Sequence, residues 1–221
     1  METAMAMNSK PSCEIIFYTL TMVLILSGII FFYIMTYASS NVKCQLTEAS
    51  LSKFNHIRHN ISYEFNHTSY NASYDTLHYK LEAKITSRNP NKYIKVYYPK
   101  ITAIARYKDH EFARVDLTTF DQGHKNATIL DVVFEGEGRI ESDEQLSEYN
   151  KDTRLGIYNN LAIDLDLLIV YKFGIYKTGR FKPPIVQCPP LNLSLISNGS
   201  NSSPHSFHNT NCRTDSFFLS R

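Results

Sequence analysis

The chain has 221 residues, and its 23 Lys and Arg against 21 Asp and Glu leave a formal net charge of +2. So mild a balance, with no run of basic residues, argues against a nucleic-acid partner. The length remaining after an N-terminal apolar stretch suits one domain.

That stretch, Ile15 to Ala38, contains no charged residue, Asn, Gln or His. At about 1.5 Å per residue, about 24 residues of helix reach about 36 Å, enough to cross a hydrocarbon core of about 30 Å. Its hydroxyl residues Thr19, Thr21, Ser27 and Thr36 can donate to carbonyls one turn earlier, so the helix satisfies its own polar groups in lipid. A cleaved signal peptide is the competing reading, because Ala38, Ser39 and Ser40 are small. Against it, the apolar run exceeds the usual length of about 7 to 15 residues, and Lys10 stands against Glu2 and Glu14. The expected organisation is a cytosolic tail over 1–14, a transmembrane helix over 15–38 and one extracellular domain over 39–221.

Flanking charge alone, Lys10 against Lys43, Lys53 and Arg58, favours the opposite orientation. Sequons outweigh it. Asn60, Asn66, Asn71, Asn126, Asn192, Asn198 and Asn201 each begin an Asn-x-Ser/Thr glycosylation pattern. Roughly three such patterns are expected by chance from the Asn, Ser and Thr content, and all seven lie beyond the span. In an oxidising exterior, Cys188 and Cys212 fit a disulfide closing a loop of about 24 residues, a stabilisation of roughly 3 kcal/mol. Cys13 is either acylated or an inert thiol, and Cys44 is either free or joins two chains.

Beyond the span, Gln45 to Asn55 reads as a first strand, with Leu46, Ala49, Leu51 and Phe54 only loosely alternating. Residues 56–74 hold three sequons and few aliphatics, which predicts a glycosylated loop. Leu77, Tyr79, Leu81, Ala83 and Ile85 then alternate with polar residues, the pattern of a strand with one buried face. Asn89-Pro90-Asn91 is a corner. Strands follow at Tyr93–Tyr98, Ile101–Tyr107, Glu111–Leu117 and Asn126–Phe134, and Gly136–Lys151 is polar enough for a short helix or a loop. Leu161 to Tyr171 alternates over the longest clean strand, Phe173–Arg180 is a hairpin partner or bend, and Ile185–Ile196 and Phe207–Phe218 complete the set. Many short strands with turn signals between them indicate an all-β fold, a single antiparallel β-sandwich.

Ser87-Arg88-Asn89-Pro90-Asn91-Lys92-Tyr93-Ile94-Lys95-Val96-Tyr97-Tyr98, followed by Phe120-Asp121-Gln122-Gly123-His124-Lys125-Asn126-Ala127-Thr128, resembles the paired signature of the plant harpin-induced-like (NHL) family. That family belongs to the late embryogenesis abundant type 2 superfamily. Ala49-Ser50-Leu51, Gly156-Ile157-Tyr158, Lys177-Thr178-Gly179-Arg180-Phe181-Lys182 and the Cys188/Cys212 pair extend the resemblance over about residues 43–218. It implies a plasma-membrane protein with one span and an extracellular, fibronectin type III-like sandwich of about seven to eight strands, tied to pathogen or abiotic stress responses.

The paired motif itself reads as structure, because Asn89-Pro90-Asn91 holds no acid, base or nucleophile active near neutral pH. Gly123, His124 and Lys125 form the candidate partner loop, with Gly123 marking a position of positive φ. An enzyme reading has one foothold: Asp164-Leu165-Asp166 has the spacing that holds a metal-bound nucleotide sugar in luminal glycosyltransferases. A strand sends both aspartates to the face opposite Leu165, however, where they read as solvated, and no βαβ alternation supplies a nucleotide-binding sheet. The pairs His56/His59 and His205/His208 lie in Ser- and Asn-rich segments and read as solvated loop residues.

No cofactor or metal is expected. The sequence therefore points to a non-enzymatic membrane protein that binds a protein or cell-wall partner in defence or stress signalling. The alternative is a protective, mechanical role at the membrane–wall contact during dehydration. Homo-oligomerisation stays open, since Gly28 has no small residue four positions away.

Overall fold

A computed structural model describes residues 11–37, 41–65, 68–140, 142–195 and 209–213. The chain divides into two compact units, Met1–Ser40 and Asn41–Arg221. In the first, helix α1 spans Pro11–Tyr37. Its residues Glu14–Tyr33 are long and apolar enough to cross a membrane, and none of them is buried. Thr19 Oγ1 donates to the Ile16 carbonyl, Thr21 Oγ1 to that of Tyr18 and Ser27 Oγ to that of Leu24, at 2.8–2.9 Å. No polar hydrogen is left pointing outward from these three residues, as an apolar surrounding requires.

The second unit contains β1 (Lys43–Phe65), β2 (Thr68–Arg88), β3 (Lys95–Tyr107), β4 (His110–Leu117), β5 (Phe120–Gln122) and β6 (Ala127–Ile140). After helix α2 (Asp143–Leu155) come β7 (Ile157–Phe173), β8 (Tyr176–Lys177), β9 (Val186–Gln187), β10 (Leu191–Ser194) and β11 (Thr210–Asn211). All pairings between these strands are antiparallel. One sheet has the order β11-β1-β2-β6, and the other β10-β7-β3-β4, with β5 on β3 and both β8 and β9 on β7. The described residues thus hold eleven strands rather than seven or eight, because short edge pieces such as β8, β9 and β11 add to the main ladder.

The inner faces of the two sheets meet in one core. Leu46, Leu51, Leu81, Ile85 and Val132 of the first sheet and Val96, Ile101, Ile163, Leu165 and Ile169 of the second are all completely buried. In β6 burial alternates residue by residue through Leu130, Val132 and Phe134, while Ile129 and Val133 face out. In β1 the alternation is broken twice, at Leu46/Glu48 and Leu51/Lys53, where the register against β2 slips by one residue. Thr47 and Ser52 are the extra residues, and their hydroxyls donate to the carbonyls of Lys84 and Lys80. These bulges explain why Leu46, Ala49, Leu51 and Phe54 are unevenly spaced yet share a face.

Residues 56–74 depart from the expected loop. Apart from 66 and 67, which lie outside the described residues, they continue β1 and β2 as a two-stranded ribbon paired out to Phe65 and Thr68. Few of these side chains reach the core, so polar pairs across the strands support the ribbon. His56 lies 2.6 Å from Asp75, Arg58 donates to the same carboxylate, and His59 bonds the Thr76 hydroxyl while stacking on Tyr74. His56 and His59 are therefore half-buried ladder residues, not solvated loop histidines.

The two expected strands at 93–107 merge into β3, with a register shift between Tyr97 and Lys100. Pro99 sits within that shift, where a missing N–H costs no ladder bond. Only β11 is found in the expected 207–218 strand, of which residues 207–208 and 214–218 lie outside the described set.

The polar segment after β6 is a helix. Ser142 caps it by accepting from the Gln145 N–H at 3.2 Å, and Gly156 ends it at φ 71. Its buried Tyr149 donates to the Phe54 carbonyl and accepts from the His56 N–H. Phe54 itself is enclosed by the rings of Tyr158, Tyr107, Phe112 and Tyr149, with centroids 4.8–5.9 Å away. This aromatic cluster joins both sheets to α2. Phe54→Ala should lower the unfolding free energy by about 3–5 kcal/mol in a denaturant titration, with the slope against denaturant unchanged.

Candidate functional site

The two halves of the paired motif meet where β2 crosses to β3 and β5 crosses to β6. Asn89 is completely buried, and all four hydrogen-bonding positions of its side chain are used. Nδ2 donates to the carbonyls of Ile94 and Gly123, both at 2.8 Å. Oδ1 accepts from the Asn91 N–H at 3.1 Å and from Asn91 Nδ2 at 2.9 Å. The main chain adds Asn89 N–H to the Asn126 carbonyl and Lys125 N–H to that of Asn91.

Beneath this corner, Gln122 is also completely buried. Its Nε2 donates to the Ser87 carbonyl at 2.7 Å and to Thr128 Oγ1 at 3.3 Å, and its Oε1 accepts from the Tyr98 hydroxyl at 3.0 Å. Cys44 stands opposite Ser87 across β1 and β2, and burial pushes its thiol up to about 12, offset in part by the Ser87 hydroxyl. Cys44 is free and only 3% exposed, packed within the core. Every side-chain amide group here is bonded. The network positions loops and offers no group for acid–base or nucleophilic work.

What it positions is the turn Gly123–Asn126. His124 and Lys125 are exposed on it. The expected positive φ does not fall on Gly123; it falls on Lys125, at φ 48. The N–H of Lys125 is drawn to the Asn91 carbonyl at 3.0 Å, which holds a residue with a Cβ in the left-handed region.

Asp164 also departs from expectation. It is 4% exposed, with Arg106 Nε 2.7 Å from its Oδ2, while Asp166 pairs with Lys182 at 3.0 Å. Burial raises the Asp164 carboxyl, and Arg106 offsets only part of that. Asp164 is covered rather than solvated because the stretch after β9 folds over it, where the Cys188 backbone bonds its carboxylate and Arg106 lies against it. Two aspartates engaged with basic side chains do not converge on a metal, and no group of three His, Cys, Asp or Glu converges among the described residues.

At the far end, α2 is fastened by Asp152, which sequence reading did not single out. Its carboxylate accepts from the Tyr107 hydroxyl at 2.8 Å and the Asn159 N–H at 3.1 Å, with Lys108 Nζ 3.3 Å away. Burial alone would raise this carboxyl, but Asn159, Tyr107 and Lys108 together hold it below the ordinary range.

Of the sequon asparagines, Asn60, Asn126 and Asn192 are exposed on β1, the β5–β6 turn and β10. Asn71 lies on β2, whereas Asn66, Asn198 and Asn201 lie outside the described residues, as do His205 and His208. Cys13 falls on α1. Cys188 and Cys212 form a disulfide that ties the segment before β10 to the one after β11.

No family model matches the chain. Three Arabidopsis thaliana proteins do resemble it. NDR1/HIN1-like protein 10 is 35% identical over 161 residues, covering 72% of this chain and 64% of that protein. NDR1/HIN1-like protein 2 is 30% identical over 72% of this chain and 60% of its own length. NDR1/HIN1-like protein 3 is 31% identical over 205 residues, 91% of this chain and 80% of that protein. The matches thus span under two thirds of the first two relatives. A crystal structure of a protein from Archaeoglobus fulgidus aligns over 67% of this chain and 100% of its own at a TM-score of 0.29 and 10% identity, too slight a likeness to bear on the fold.

Gln122→Ala should cost about 2–3 kcal/mol by chemical denaturation, since the Ser87 carbonyl loses a buried donor and the Tyr98 hydroxyl keeps only Ser87 Oγ, at 3.3 Å. Lys125→Gly should instead be neutral or stabilise by about 1 kcal/mol, by relieving the left-handed backbone. For Asp152 the folded carboxyl lies below its unfolded value, so its contribution is present above about pH 4 and is lost as pH falls through that range. Asp152→Asn should remove that part of the acid-side slope, as read from unfolding midpoints between neutral and acid pH.

Proposed function

Since the chain belongs to the NDR1/HIN1-like family, we propose that it is a non-enzymatic, plasma-membrane-anchored protein of plant defence or stress responses. In this reading α1 is the single span, residues 1–14 are cytosolic and the sandwich lies outside the cell. Family membership is the observation that carries the proposal. The apolar exposed length of α1 and the excess of sequons beyond it support the topology. The exposure of Asn60, Asn126 and Asn192 is compatible with glycan attachment there.

The fully bonded corner beneath Gly123, His124 and Lys125 favours this turn as a contact for a protein or cell-wall partner. A loop held rigid before binding has less conformational entropy to lose when it binds.

Protease treatment of sealed microsomes, read with an antibody to the C-terminal region before and after deglycosylation, tests the topology. A protected fragment that shrinks on deglycosylation, and shrinks less when Asn60, Asn126 and Asn192 are changed to Gln, is expected. Digestion of an unglycosylated domain would place it in the cytosol and overturn the reading. Loss of the protein should weaken pathogen-induced responses. Altered tolerance of plasmolysis or drying with intact immune outputs would favour the protective, mechanical role instead.

A further inference from the structure

The corner lies at one end of the sandwich, and that end has a charge and a shape of its own. The antiparallel register brings the start of β1, the end of β2, the start of β3, the β5–β6 turn and the β7–β8 hairpin to this end: Lys43 pairs with Arg88, Arg88 with Ala127, and Lys95 with Lys172. Lys43, Arg88, Lys92, Lys95, Lys125 and Lys177 are all exposed here. None of the six is in an ion pair among the described residues. The connecting turns 89–94, 123–126 and 174–180 contain no Asp or Glu, and Asp121 nearby is already matched by Lys172 at 2.5 Å. A net charge of only +2 for the whole chain thus conceals a strongly basic pole.

Apolar side chains project from the same pole. Gly174 takes φ 56 in the two-residue turn between Phe173 and Tyr176, which leaves Ile175 at the tip, 88% exposed. Tyr176 and Tyr93 are 62% and 58% exposed. Exposed Ile and Tyr within a ring of lysines is the composition that suits a lipid headgroup layer, where lysines meet phosphate and an apolar tip enters the acyl boundary. Sequence order adds an independent argument. This is the end at which the chain enters the domain, and only residues 38–42 separate Lys43 from Tyr37, the last residue of α1.

We propose that the basic pole of the sandwich docks on a lipid surface made net-negative by its headgroup phosphates, with Ile175 and Tyr176 entering its outermost apolar layer and the surrounding lysines and arginine binding those phosphates. The inference rests on α1 as a membrane anchor, but on neither the partner nor the stimulus. It assigns the 123–126 turn to lipid in place of a protein or wall partner, with a bonded Asn89 holding the 92–95 and 123–126 turns in one basic surface.

The chain contains no Trp, so a single introduced Trp reports its own surroundings. Full-length chain carrying Ile175→Trp would be reconstituted at one chain per lipid nanodisc, in phosphatidylcholine alone or with added phosphatidic acid, whose exposed phosphate carries net negative charge. In the phosphatidic acid discs the emission should shift to the blue and be quenched by lipids brominated on their acyl chains. Both effects should fade at high salt. Reversal of Lys92, Lys95 and Lys125 to Glu should lower the docked-to-free ratio by about fivefold or more per residue, with the near-ultraviolet circular dichroism unchanged. Leu155→Trp, exposed at the end of α2, should stay solvent-like throughout.

Solvent-like, unquenched emission from Ile175→Trp in both discs overturns the proposal. So does a shift indifferent to phosphatidic acid and to charge reversal, and so does a soluble polyuronate that binds the pole in preference to the discs. A chain that fails to co-elute with discs overturns the anchor reading, and the docking with it, an outcome distinct from an anchored chain whose Trp stays wet.

Discussion

One buried amide holds the two sheets in relation to each other. Asn89 ends the β2 side of one sheet, yet its side chain bonds Ile94 at the entry to β3 in the other sheet and Gly123 in the turn that returns to β6. In a low-dielectric interior each of these bonds is stronger than in water, and leaving any of them unmade is correspondingly costly. Aspartate would have no donor for the two carbonyls, and an aliphatic residue would satisfy none of the four contacts. Gln122 repeats the device one layer deeper, binding Ser87 of β2 and Tyr98 of β3 with a single side chain. At the opposite end, Asp152 and Tyr149 perform the equivalent fastening through α2. Between these polar closures the interior is apolar.

Such a design separates what is fixed from what is free to vary. The polar residues that fasten the corner are buried, whereas the residues they display, among them Lys92, Tyr93, His124 and Lys125, are exposed. A surface mounted in this way can change its side chains, and hence its partner, without disturbing the fold beneath it. Members of one family can therefore share the corner and differ in what they contact.

Much of this was legible in the sequence, and the failures have physical causes. β2 and β7 are plain because one inward face alternates strictly through Leu77–Ile85 and Leu161–Tyr171. The β1 pattern is readable only as a weak strand because Thr47 and Ser52 each insert a residue. Residues 56–74 read as a loop because their composition supplies no core, but cross-strand ion pairs and hydrogen bonds can sustain a ribbon without one. For α2 the start and stop signals were present in Ser142, Gln145 and Gly156. Asp164 misled for a different reason: alternation assigns a side chain to a face, but not what covers that face. Gln122 carried no local signal, since its partners lie in β2, β3 and β6.

The two bulges in β1 have a consequence for inheritance rather than for energy. In a regular strand, loss of one residue turns every later side chain to the opposite face. Here Thr47 and Ser52 sit outside the ladder count, so deletion of either closes its bulge and leaves Phe54 and the rest of β1 facing as before. Deletion of a ladder residue such as Ser50 would instead turn Leu51 and Phe54 outward. The strand can therefore lose Thr47 or Ser52 singly, whereas a residue between them can be lost only at the expense of the buried face.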